Sequence, residues 1–121
     1  MTIYDDDDTL PDFVKGYVDS MRAAYGPRGF DCKVSDDAMI ASLSDCLSFL
    51  IGARDLMPDQ PDCYTDGCVF WRVRNGGVTS YRWSEILTSV AREFPPCHVF
   101  IADCEIHVQR AAQESAKRVD K

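Results

Sequence analysis

The chain has 121 residues, of which 45% are hydrophobic and 27% charged, and a formal charge of −7; this excludes the low-hydrophobicity compositions that stay unfolded. Its length is that of one domain, able to bury roughly 65% of the surface an unfolded chain exposes. No apolar run is long enough to cross a bilayer, and residues 1–8 are acidic rather than a basic-then-apolar leader, so the expected location is the cytoplasm, with no membrane partner.

Charge is unevenly spread. Residues 1–66 hold 14 Asp and no Glu against five Lys or Arg, whereas residues 67–121 hold six acids against eight bases. Phosphate contacts are made by Lys and Arg, so the acidic half speaks against direct nucleic-acid binding and for a protein partner with a basic surface. In a chain expected to stay in a reducing compartment, six cysteines read first as small buried hydrophobes.

In chain order, residues 1–9 read as a flexible acidic arm, because Asp5, Asp6, Asp7 and Asp8 repel one another, and residues 10–121 as a single α+β domain. Leu10, Phe13, Val14, Tyr17, Val18, Met21 and Tyr25 recur at three- and four-residue steps, predicting a first helix that Gly26-Pro27 ends. Its apolar stripe is wide enough for a core face or for a homodimer contact. Ser35 reads as the N-cap of a second helix, with Asp36 and Asp37 in its first turn and an inward stripe of Met39, Ile40, Leu43, Cys46, Leu47, Leu50 and Ile51.

Residues 58–67, PDQPDCYTDG, read as a ten-residue loop. Two β-rich runs flank Asn75-Gly76 and predict a hairpin over residues 68–83. A two-residue turn there pairs Phe70 with Tyr81 and places Phe70, Arg72, Arg74, Thr79 and Tyr81 on one face, opposite Val69, Trp71, Val73 and Val78. Ser84 begins a helix that Pro95-Pro96 closes, residues 98–102 form a short strand, and residues 103–121 either begin a last helix at Asp103 or extend the strand through Ile106 and Val108. The expected fold is α+β: a small antiparallel or mixed sheet containing the 68–83 hairpin, packed with three or four helices.

No cofactor motif and no catalytic constellation stands out, so the chain is not read as an enzyme. Asn75-Gly76-Gly77 belongs to the turn rather than to a phosphate-gripping loop, and Cys97 next to His98 on a strand points away from it. Two surfaces read as binding surfaces. One is the aromatic and arginine face of Phe70, Arg72, Arg74 and Tyr81, since Trp, Tyr and Arg are enriched at binding hot spots. The other is the aspartate series Asp55, Asp59, Asp62 and Asp66, whose spaced carboxylates can imitate a phosphate track.

The expected function is therefore a small acidic inhibitor or regulator that occupies a basic, nucleic-acid-handling partner. In size and charge the chain resembles small acidic accessory proteins of phages and mobile elements, including anti-CRISPRs and other anti-defence inhibitors, an analogy of class without a motif. One alternative is a toxin-neutralising immunity or antitoxin-like protein. The other is a zinc-binding regulatory module on Cys63, Cys68, Cys104 and His107, which needs the last two on a helix or turn; on the leading reading there is no cofactor.

Overall fold

The computed structural model describes residues 9–58 and 62–110, with the side chains of Thr9 and Arg110 outside that description. The aspartates of the acidic arm, Asp59 and residues 111–121 lie beyond it. Among the described residues the order is α1 (Thr9–Tyr25), a 3-10 turn (Pro27–Phe30), β1 (Lys33–Val34), α2 (Asp36–Ala53), a 3-10 turn (Arg54–Leu56), α3 (Cys63–Arg74), α4 (Glu85–Arg92), β2 (Cys97–Ala102) and β3 (Glu105–Arg110). Four helices packed with a small mixed sheet make an α+β fold.

The first helix follows its periodicity. Phe13, Val14, Tyr17, Val18 and Met21 are all buried, so the α1 stripe is a core face and is not available to a second copy. It lies backbone to backbone on α3: a Cβ at Gly16 would collide with the Tyr64 carbonyl oxygen, and one at Gly67 with that of Phe13. Two glycines, one from each helix, thus set the closeness of the crossing.

In α2 the cap is as expected, with the Ala38 amide donating to Ser35 Oγ at 3.1 Å. The inward face is a different one. Ala38, Ser42, Asp45, Cys46, Phe49, Leu50 and Ala53 are buried, whereas Met39, Ile40, Leu43, Leu47 and Ile51 are exposed. Phe49 sets the phase by stacking on Phe70 with ring centroids 4.3 Å apart and on Trp83 at 5.5 Å, and Asp45 must face inward to meet Arg74 at 2.7 Å.

The 68–83 hairpin does not form, and the loop before it is shorter than expected, because residues 63–74 are helix α3. Asp62 caps it twice, accepting from the Thr65 amide at 3.1 Å and the Thr65 hydroxyl at 2.9 Å. Asn75-Gly76 satisfies the helix C-terminus rather than a strand turn: Asn75 Nδ2 donates to the Trp71 carbonyl at 2.7 Å, and Gly76, at φ 87°, donates to Val73. Packed between α1 and the other helices, α3 buries Asp66, Gly67, Val69, Phe70, Trp71, Val73 and Arg74. Burial on nearly all sides removes the amphipathic period that marks a helix, leaving only β-branched and aromatic residues to read.

The hairpin in this chain is β2–β3. Asp103 and Cys104 have φ of 55° and 60° and turn the strands around, so residues 105–110 continue the sheet. The strand order is β1-β3-β2, with β1 parallel to β3 and β2 antiparallel to it. Ile106, fully buried, carries the sheet's inner face into the core cluster.

Candidate functional site

Three of the expected binding residues lie in the core. Phe70 is 0% exposed and stacks among Phe13, Tyr17, Phe49 and Phe94. Arg74, 3% exposed, is a buried tie: its guanidinium pairs with Asp45, donates to the Tyr17 hydroxyl at 3.0 Å and to the Pro95 carbonyl, and lies over the Phe70 and Phe94 rings. Burial pushes the Tyr17 hydroxyl and the Cys46 thiol beside it well up, so both stay protonated.

Asp66 is also fully buried. Its Oδ1 accepts from the Trp83 indole at 3.0 Å and lies 3.6 Å from Arg82 Nη1, while Oδ2 has no hydrogen-bond partner. Burial raises its pKa, against the pull of Trp83 and Arg82. Asp55 and Asp62 are exposed, but the Asp62 carboxylate is engaged as the α3 cap, and the two Thr65 hydrogen bonds lower its pKa. With Asp66 inside and Asp62 capping, the series is not a continuous acidic track.

Arg72 and Tyr81 remain at the surface, and the loop that joins α3 to α4 brings them into one unit. Residues 77–83 run without helix or strand, yet the segment is tied along its length. The Gly77 amide donates to the Arg72 carbonyl at 2.8 Å, and Arg72 Nε returns to the Val78 carbonyl at 2.6 Å. Thr79 and Thr88 hydroxyls meet at 2.8 Å, the Arg82 amide donates to Ser80 Oγ, and the Trp83 amide to the Ser80 carbonyl. Trp83 itself plugs into the core beside Phe49.

Between these ties the tip points outward: Tyr81 is 98% exposed and Val78 76%. Ile86, in the first turn of α4, is exposed beyond the Ser84 cap. An open cleft lined by Ser20, Ala23, Ala24, Trp71, Arg72 and Gly77 runs beside the base of the loop. The register of the 68–83 hairpin, which does not form, picked out Tyr81 and Arg72, set Val78 on the opposite face and missed Ile86; the Thr-Ser-Tyr-Arg run before a capping Ser84 was the available signal for a surface turn.

The four thiol and imidazole candidates for a metal fall on two regions. Cys63 and Cys68 lie on α3, with the Cys68 thiol donating to the Gly16 carbonyl at 3.3 Å; Cys104 is in the β2–β3 turn and His107 on β3, stacked on Phe100. Among the described residues no group of three His, Cys, Asp or Glu is placed to hold a metal ion. All six cysteines are described, and none of them forms a disulfide. No described helix is long and apolar enough to cross a membrane.

No family model, curated protein or solved structure matches this chain.

Proposed function

We propose that the protein is a small acidic, non-catalytic binding protein of the cytoplasm, an inhibitor or regulator that docks on a basic, nucleic-acid-handling protein through the loop at 77–83. The observation that carries this reading is Tyr81: an aromatic ring 98% exposed at the tip of a loop held by hydrogen bonds at both ends. Tyrosine presented on a fixed backbone gives up little conformational entropy on binding, which is why such residues become hot spots. Val78 and Ile86 add apolar area, and Arg72, on which the loop is anchored, borders the cleft. The charge of −7 supplies long-range attraction to a Lys- and Arg-rich partner.

The test uses wild-type protein and Tyr81→Ala as matched baits against host extract, with thermal melts to establish equal folding. A partner held by the wild type and weakened by ~30-fold or more in Tyr81→Ala supports the reading, as expected for a hot-spot truncation. Equal capture of every bound protein by both baits removes the loop as the contact.

A further inference from the structure

The three-stranded sheet has two edges of unlike character. At one, β1 is two residues long and carries the exposed Lys33; shortness and a lysine are common means of keeping an edge from pairing. At the other, β2 runs for six residues, Cys97–Ala102, with no Lys, Arg, Asp, Glu or Pro, and pairs with β3 at every position without a bulge. None of those protections is present in β2.

Hydrogen bonds fix which residues of β2 face outward. The Ser35 amide donates to the Ile106 carbonyl at 2.9 Å, so Ile106 turns its backbone groups towards the β1 side. Ile101, its partner on β2, therefore belongs to a non-hydrogen-bonded pair and turns its N–H and C=O to the open side. Alternation gives Val99 and Cys97 the same direction, and the Cys97 amide leaves the sheet to donate to Asn75 Oδ1 at 2.7 Å. A side-chain amide oxygen thus stands where an adjoining strand's carbonyl would. Among the described residues no hydrogen bond reaches the outward groups of Val99 or Ile101, so the N–H and C=O of each are left for a strand.

We infer that β2 takes an extended segment of the basic partner as a fourth strand, held by main-chain hydrogen bonds at Val99 and Ile101. For the identity of that partner the inference rests on the reading of the 77–83 loop. The open space runs towards that loop: a cleft between Ala24, Tyr25, Pro96 and the start of β2 shares Ala24, Trp71 and Asn75 with the cleft at the base of the loop. A segment leaving Val99 therefore passes Asn75 and comes up to Arg72 and Gly77. Charge selects the occupant, because the chain carries −7 and the exposed Asp103 closes the Ile101 end of the edge, which favours Lys or Arg at that end of the segment. A second copy brings the same −7. In a symmetric β2–β2 pair centred on Phe100, its own turn at Asp103 would fall opposite Cys97 and leave the cleft unfilled. On the outer face Phe100, stacked between His98 and His107 at 6.1 and 5.3 Å, offers its ring to an apolar residue of the added strand.

The probe is a displayed library of random decapeptides, long enough at ~3.3 Å per residue to follow β2 and enter the cleft, selected on the full chain. Selected peptides are expected to carry Val, Ile or Thr at alternate positions and Lys or Arg at one end. On binding, the Val99 and Ile101 amides gain protection from hydrogen exchange, while the Phe100 amide, already bonded to β3, stays as it was. Val99→Pro deletes an outward N–H that the sheet does not use, and Phe100→Lys adds the charge that the edge lacks. Each is expected to weaken the selected peptides by ~10-fold or more, with melts that match the wild type. A library that yields no binder, or binders that leave the Val99 and Ile101 amides unprotected, overturns the proposal. Self-association of the wild type in sedimentation that Val99→Pro abolishes puts a second copy on the edge and overturns the choice of occupant. In capture from host extract, a partner lost with Tyr81→Ala but held by Val99→Pro overturns the edge as its contact. A partner lost with Val99→Pro but held by Tyr81→Ala leaves the edge standing and removes the loop reading.

Discussion

Arg74 and Asp66 are two charged groups that the fold takes inside, and they behave differently because one is fully partnered and the other is not. Arg74 has an ion pair with Asp45, a tyrosine hydroxyl, a carbonyl and two aromatic faces. Arg74→Met leaves the Asp45 carboxylate and the Tyr17 hydroxyl behind without it, and is expected to cost about 3–5 kcal/mol in urea denaturation. The double variant Asp45→Leu/Arg74→Met is expected to recover much of that loss, since it removes the stranded charge as well; a double variant as unstable as the single would place the cost in packing instead.

For Asp66 the sign follows from its raised pKa. Its contribution to stability is fully present below the unfolded value of roughly 3.9 and is lost as pH rises through the higher folded value. Asp66→Asn does not ionise. The melting-temperature difference, wild type minus Asp66→Asn, is therefore expected to shrink from pH 4 towards pH 8. Asp62 acts in the opposite sense, losing stability in acid as its lowered folded pKa is passed, but it is common to both proteins and drops out of the difference. A difference that is constant with pH would mean that Asp66 ionises in the fold at no cost.

Among the described elements, the β2–β3 turn carries backbone strain. Asp103 and Cys104 both have positive φ, the conformation a tight hairpin turn requires; aspartate tolerates it, whereas a cysteine side chain crowds the following carbonyl. Cys104→Gly is expected to stabilise the protein by about 0.5–1 kcal/mol in denaturant titration, the relief of the side-chain strain less the added freedom of the unfolded chain. Loss of stability on that change would show that the exposed thiol makes a contact worth more than the strain.

What could be read in advance follows from how each element is buried. Helix α1 presents one face to the core and was legible from its stripe, and the Ser35 and Ser84 caps were legible because a capping side chain acts within three residues of itself. The phase of α2 was hidden because its outer face is as apolar as its inner one, and the choice between them was made by Phe49 and Asp45 through partners far along the chain. Helix α3 was hidden because it is covered on nearly every side, and because Asn-Gly serves a helix end as well as a hairpin turn. The site reading divided accordingly: Phe70, Arg74 and Asp66 belonged to the misread helix and proved to be core, while Tyr81 and Arg72 kept the exposure that had been expected of them.

At the scale of the whole molecule, the net charge makes the proposed partner contact sensitive to salt. A chain of charge −7 approaches a basic partner down an attractive potential, and added salt shortens the reach of that attraction from about 30 Å at 0.01 M to about 8 Å at 0.15 M. The association rate with such a partner is therefore expected to fall steeply with ionic strength. Association kinetics between ~20 and ~500 mM NaCl measure this. An association rate that stays the same over that range would mean that the net charge plays no part in the approach, and that the contact is made by the apolar tip of the 77–83 loop alone.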